Sequence, residues 1–377
     1  MFLSANVGVG HMSAASAVRE ALEQVDPAVQ TSVVDSYKYA ASVVSRVVSN
    51  GYLGMVKTIP QMYRFIYNRA ERATEVGPFR TWIHQFTASN LRSLIETERP
   101  DVVVCTHAFP CGVMAEYKRE FSDAPPVVGV VTDFVVHNFW IHRNIDGYAV
   151  ATQEMCKALV ARGVNGDRIV VSGIPVEPAF GVRHEPADVL RDRLGLPRDR
   201  HVVLLMGGGL GIGPLETMMR SLNQVGAPVA AVVIVGKNAR LEGRVLETAH
   251  EMSYPLRVLR FVDNVHDYMH AADILLTKPG GLTTTEALVA NLPMVLYKPL
   301  PGQEERNTRY LVDRKAAVRA RNARDLTRIV SNLLESEERR NAMRKAMQQL
   351  AKPNAAAEIA ALIASLAAAA PKGEVTK

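Results

Sequence analysis

Cysteine is scarce: Cys105, Cys111 and Cys156 form no CxxC pair and leave an odd count. That excludes a disulfide scaffold and suits a reducing cytoplasm. Aromatics make up only 6% of the chain, so a place where they gather is informative. No apolar run reaches the roughly 20 residues that span a bilayer. The Ala-rich stretch 355–370 is weakly apolar and interrupted by Glu358, and reads as a soluble helix. No charged-then-apolar leader opens the chain. Neither HExxH nor DxD occurs, and His107 with Cys111 completes no ligand set, so no metal is expected.

What is present is a globular composition. The chain has 377 residues, 48% hydrophobic and 22% charged, enough for two domains with real cores. Its net charge of +6 admits nucleic acid, an anionic membrane surface or phosphate-bearing ligands as partners. No nucleic-acid motif accompanies the charge, so no nucleic-acid partner is expected. Strand and helix patterns alternate throughout, which predicts a parallel α/β architecture. Expected strands include 101–105, 127–132, 201–206, 229–235, 274–277 and 294–297. The strand at 2–4 is shorter than usual, which leaves open whether Met1 is the true start. The rigid stretch GIPVEP at 173–178 sets the domain boundary. The expected domains are 1–172, with a helical insert at about 37–90, then 173–350, then a final helix from 351 that crosses back to the first domain before a polar tail.

Six stretches carry candidate chemistry. Gly207–Gly213 follows a strand and precedes a helix; glycines let backbone N–H groups approach a phosphate, although a flexible turn also fits. It is neither a P-loop nor GxGxxG. Gly280, Gly281, Thr283 and Glu286 form a second such turn. Glu286, expected in the first helical turn, can accept hydrogen bonds from a ribose diol, yet Thr283-x-x-Glu286 is also a capping box. Gln303, Glu304 and Asn307 follow another strand and suit either a sugar's hydroxyls or a solvated helix start. In the first half, Gly8 and Gly10 precede His11, a candidate general base or simply a helix-start histidine. Asp133 and His137 lie in TDFVVHNFW, where they orient a reacting group or cap a turn beside packed aromatics. Residues 37–90 interleave bases with aromatics at helical spacing, the pattern of a helix lying on an anionic bilayer or of a helical insert packed on its own domain.

In order along the chain stand SANVGVGH (4–11), VTDFVVHNFW (131–140), VSGIPVEPAF (171–180), MGGGLGIG (206–213), TKPGGLTTTEA (277–287) and PGQEERN (301–307). Together these resemble the diacylglycerol glycosyltransferases, the family of monogalactosyldiacylglycerol synthases and processive diacylglycerol glucosyltransferases. The resemblance implies a GT-B fold, two Rossmann-like domains with a cleft between them. It implies a UDP-sugar donor, a diacylglycerol acceptor, inversion at the sugar, no cofactor and a peripheral place on the inner face of the cell membrane. Carried over by motif, Glu286 binds the ribose. Gly208, Gly209 and the 280–283 turn contact the diphosphate, and Gln303, Glu304 and Asn307 face the sugar. Phe261 lies by the uracil. His11 is the base, and Asp133 orients it or holds the acceptor. A lipid-linked GlcNAc transferase, a UDP-sugar epimerase and a non-catalytic nucleotide-sugar or anionic-lipid binding protein are the alternatives.

Overall fold

The computed structural model describes residues 1–4, 9–39, 78–182, 185–209, 211 and 213–369. Gly8 and most of the 37–90 segment lie outside the described residues. The chain divides into two compact units, 1–175 with 354–377 and 176–353.

Unit 1 is a six-stranded parallel sheet. Its elements run β1 (Phe2–Ser4), α1 (Val9–Val25), β2 (Val33–Asp35), α2 (Pro78–Glu98), β3 (Val103–Cys105), α3 (Ala108–Glu120), β4 (Val127–Val130), β5 (Gly147–Ala149), α4 (Gln153–Val160) and β6 (Ile169–Val170). The strand order is β2-β1-β3-β4-β5-β6. Successive side chains of a strand point to opposite faces, and the core splits accordingly. Leu3, Val103, Cys105 and Val127 join Leu91, Met114, Trp140 and Tyr148 on one face. Phe2, Val104, Val128 and Val130 join Val18 and Leu22 of α1 on the other, with Ile359 and Ile363 from near the chain's end.

Unit 2 repeats the plan. It contains α5 (Ala187–Leu194), β7 (His201–Met206), α6 (Leu215–Leu222), β8 (Val229–Ile234), α7 (Ala239–Ala249), β9 (Leu256–Leu259), α8 (Val265–Ala271), β10 (Ile274–Thr277), α9 (Gly281–Val289), β11 (Met294–Tyr297), α10 (Gln303–Asp313), β12 (Val318–Ala320), α11 (Ala323–Leu334) and α12 (Glu337–Leu350). The order is β12-β11-β10-β7-β8-β9, again all parallel. β12 has no counterpart among the predicted strands, because VRA is too short and too polar to show a period. The apolar runs of β7, β8, β10 and β11 are almost wholly buried, as expected of strands covered on both faces. The last helix, α13 (Ala355–Ala369), belongs to unit 1 and packs against α1. No described helix is long and apolar enough to cross a membrane.

Each strand order reverses direction once. In unit 1 the chain leaves β1 for β2 on one side and returns to β3 on the other. In unit 2, β7 is followed outward by β8 and β9 and is joined on its other side by β10. Such switch points, at the carboxyl ends of the strands, open a crevice because the flanking connections leave in opposite directions. Among the described residues, His11, Asp133, the glycine turns after β7 and β10 and the start of α10 all follow the carboxyl ends of strands.

Candidate active site

In unit 1, α1 begins at Val9, so Gly10 and His11 lie inside its first turn. His11 faces the end of β3 across the switch point. Its Nδ1 lies 3.0 Å from the Thr106 carbonyl oxygen and 3.0 Å from the Thr132 hydroxyl oxygen. A carbonyl only accepts, so the hydrogen sits on Nδ1, where it donates to Thr106, and Nε2 keeps its lone pair. Burial pulls the imidazole down from its ordinary value to about 4, against the opposing effect of the Thr106 bond. The ring holds no second proton at neutral pH.

His107 meets His11 edge-on with centroids 4.6 Å apart. Burial first, then the neighbouring His11 and His137, hold its pKa well below normal. Its Nδ1 accepts the Phe109 N–H at 3.1 Å and so caps α3. His137 is buried and caps the 3-10 turn Asn138–Trp140 in the same manner, accepting from Phe139 N–H at 3.3 Å. The cap of that turn is thus His137, although an aspartate is the commoner choice. Asp133 is buried in the same loop. Sequence reasoning singles out Asp133 and misses Thr106, Thr132 and the packing of His107. A strand end followed by Thr-His or Thr-Asp, recurring after β3 and β4, is the signal that was available.

In unit 2, after β7, Gly211 N–H donates to the Gly208 carbonyl oxygen at 2.8 Å. Gly208 (φ 75°) and Gly211 (φ 59°) occupy the left-handed region that favours glycine. A Cβ on Gly211 would stand 2.5 Å from the Val235 carbonyl oxygen. Gly209 offers its carbonyl to Lys237 N–H at 3.3 Å. Across the switch point, Thr277 at the end of β10 donates its hydroxyl to Met206 O at 3.0 Å. The next residue, Lys278, lays its stem against Gly208 and donates to Glu304 Oε1 at 2.5 Å. Sequence reasoning gives Lys278 no role.

Helix α9 starts at Gly281 with Gly280 as its cap, and no side chain caps it. Thr283 is already helical and Glu286 falls in the second turn, so the capping-box alternative and the first-turn placement both fail. The reason is local: Gly280 adopts an extended conformation (φ −69°, ψ 141°) and begins the helix before any threonine can. Thr284 and Thr285 instead donate back to the Gly280 and Gly281 carbonyls, each at 2.7 Å. Freed from capping, Glu286 sits half-buried near Glu177. Burial first, and the Glu177 carboxylate second, raise its pKa to about 7.

The start of α10 is only partly solvated. Glu304 is engaged with Lys278 and accepts the Leu300 N–H at 2.8 Å. Asn307 is buried and donates to Pro279 O at 3.3 Å, bracing the turn before α9. Gln303 is half-buried at the helix start. Phe261 stands 42% exposed after β9, with the Lys237 ammonium 4.6 Å from its ring centroid. Among the described residues no three His, Cys, Asp or Glu side chains converge to hold a metal ion.

The unit 1 half-site holds a neutral histidine with one open nitrogen. The unit 2 half-site holds two glycine turns, a lysine and carboxylates at a switch point. Solved structures with the same architecture include GT-B enzymes. MurG of Acinetobacter baumannii is 18% identical with a TM-score of 0.61, covering 97% of this chain and 98% of its own. MnaA of S. aureus, solved with UDP, is 16% identical with a TM-score of 0.63, covering 95% and 94%. At those identities the likeness establishes the fold alone.

Sequence comparison goes further. Residues 11–176 match the family profile "Monogalactosyldiacylglycerol (MGDG) synthase", and residues 202–363 match "Glycosyltransferase family 28 C-terminal domain". A processive diacylglycerol beta-glucosyltransferase of Bacillus mycoides (strain KBAB4) is 30% identical over 362 residues, 95% of this chain and 91% of the relative. The chain belongs to this family of glycosyltransferases.

Proposed function

We propose that the chain transfers a hexose from a UDP-sugar to the hydroxyl of diacylglycerol, with inversion, at a membrane surface. The observation that carries this reading is the likeness to processive diacylglycerol beta-glucosyltransferases through both units, 95% of the chain. In this reading unit 2 binds the donor. Backbone N–H groups at Gly208 and Gly209 and at the start of α9 face the diphosphate, where the helix dipole favours negative charge. Glu286 takes the ribose hydroxyls, Phe261 lies by the uracil, and Gln303, Glu304 and Asn307 line the sugar side.

Unit 1 supplies the base. The acceptor oxygen attacks the anomeric carbon from the face opposite UDP, and its proton passes to Nε2 of His11. The bond from that carbon to the diphosphate breaks, and its electron pair stays on the phosphate oxygen. Support for the base comes from the fixed Nδ1–H tautomer, which directs the lone pair away from the sheet. His137 and Asp133 line the acceptor side. Contact with an anionic bilayer through 37–90 draws support from α2, where Trp82 and Phe86 stand 53% and 41% exposed and stack at 5.9 Å. Exposed aromatics of that kind favour the bilayer interface.

The test is direct. Purified protein is assayed with UDP-glucose, UDP-galactose and UDP-GlcNAc on diacylglycerol vesicles, with and without anionic lipid. A glycolipid product is expected from at least one donor, and more of it on anionic vesicles. No product from any donor would sink the proposal. His11→Ala should abolish transfer while leaving UDP binding intact.

A further inference from the structure

Lys278 is the first residue after β10, at the switch point of unit 2. Its side chain crosses from its own turn to the glycine loop after β7. A Cβ built on Gly208 would lie 2.8 Å from Lys278 Cε and 3.4 Å from Nζ, and one on Gly280 would lie 3.8 Å from Nζ. The ammonium therefore rests against both glycine turns. It also reaches the third loop, donating to Glu304 Oε1 at 2.5 Å. Both side chains are largely enclosed, at 15% and 12% exposure. Glu304 has a second tie, accepting Leu300 N–H at 2.8 Å, so the carboxylate is fixed and the lysine is the adjustable member.

We infer that Lys278 is a catalytic cation for the leaving diphosphate and that Glu304 competes for the same ammonium. The inference rests on the donor reading above and adds a residue to it. As the bond between the anomeric carbon and the phosphate oxygen breaks, the electron pair accumulates on that oxygen. A partly buried ammonium between the two turns offsets that charge where backbone N–H groups alone supply only partial charges. When Lys278 turns to the diphosphate, the Glu304 carboxylate is freed to accept hydrogen bonds from the sugar's hydroxyls. Diphosphate binding and sugar recognition are thereby coupled through one ion pair.

A pair that merely stapled the loops would behave differently, because losing either partner would loosen the site in the same direction. The competition model requires opposite signs. Titration calorimetry with UDP and with uridine on the full chain, Lys278→Met and Glu304→Gln separates the two. Lys278→Met should weaken UDP binding about tenfold to a hundredfold, the loss of one charge-assisted bond in an enclosed site, and leave uridine binding unchanged. Glu304→Gln should bind UDP at least as tightly as the parent while its transfer rate falls. Unchanged UDP binding by Lys278→Met, or weaker UDP binding by both variants, overturns the inference and leaves the donor reading standing. Failure of the parent to bind UDP sinks the donor reading and this inference together. If Lys278→Met does not fold, Glu304→Gln decides alone: weaker UDP binding overturns the proposal.

Discussion

Glu286→Gln should stabilise the protein and weaken its donor binding at once. Within α9 the carboxyl is half-buried, makes no capping bond, and has Glu177 nearby. Its pKa is raised from 4.5 to about 7. The unfolded chain ionises near 4.5, so folding becomes less favourable as pH rises from about 4.5 to 7, and the full penalty is present above 7. A rise from 4.5 to about 7 corresponds to about 3 kcal/mol. Partial solvent access halves that, to about 1–2 kcal/mol. For a unit of this size the gain appears as roughly 3–6 °C in melting temperature. Parent and variant are compared by thermal and urea unfolding at about pH 4 and about pH 8. They should coincide at the lower pH, where both side chains are neutral, and separate at the higher, with Gln the more stable. A Gln variant that is equal or less stable at about pH 8 would refute the reasoning. The same variant should lose UDP affinity, since an amide accepts fewer hydrogen bonds from a diol.

Three further expectations follow from the described contacts. The acid limb of the pH–rate profile should fall near 4, the value to which burial pulls His11; a limb near 6.5 would mean that a different group is titrating. Thr132→Val removes the hydroxyl 3.0 Å from His11 Nδ1 and should lower kcat about tenfold with the donor KM unchanged, and Thr132→Ser should restore it; steady-state kinetics on the three proteins decide. Gly211→Ala places a Cβ 2.5 Å from the Val235 carbonyl oxygen at φ 59°; unfolding should show a loss of about 2 kcal/mol or more, and UDP binding should weaken as the loop shifts.

Local pattern made much of the fold legible. Apolar runs such as HVVLLM and ILLT have no competing period, so β7 and β10 appear where read. Helix starts were harder. Backbone conformation at Gly280 begins α9 ahead of the threonines whose side chains advertise a start, and this moves Glu286 into the second turn. β12 carried no signal because three residues cannot display a period.

The sequence by itself determined the alternation of strands and helices, the glycine turns and the candidates His11, Glu286 and Glu304, since these depend on residue type and near-neighbour spacing. Tertiary structure alone decided which of them meet. Thr106, Thr132 and His107 reach His11 from 95, 121 and 96 residues away (106 − 11, 132 − 11 and 107 − 11). Lys278 reaches Gly208 because β10 pairs beside β7, more than sixty residues earlier in the chain, and reaches Glu304 because β11 flanks β10 on its other side. Strand order is set by the packing of whole helices on whole sheets, a sum over long-range contacts that no short window contains. The switch points it creates turn dispersed residues into two half-sites.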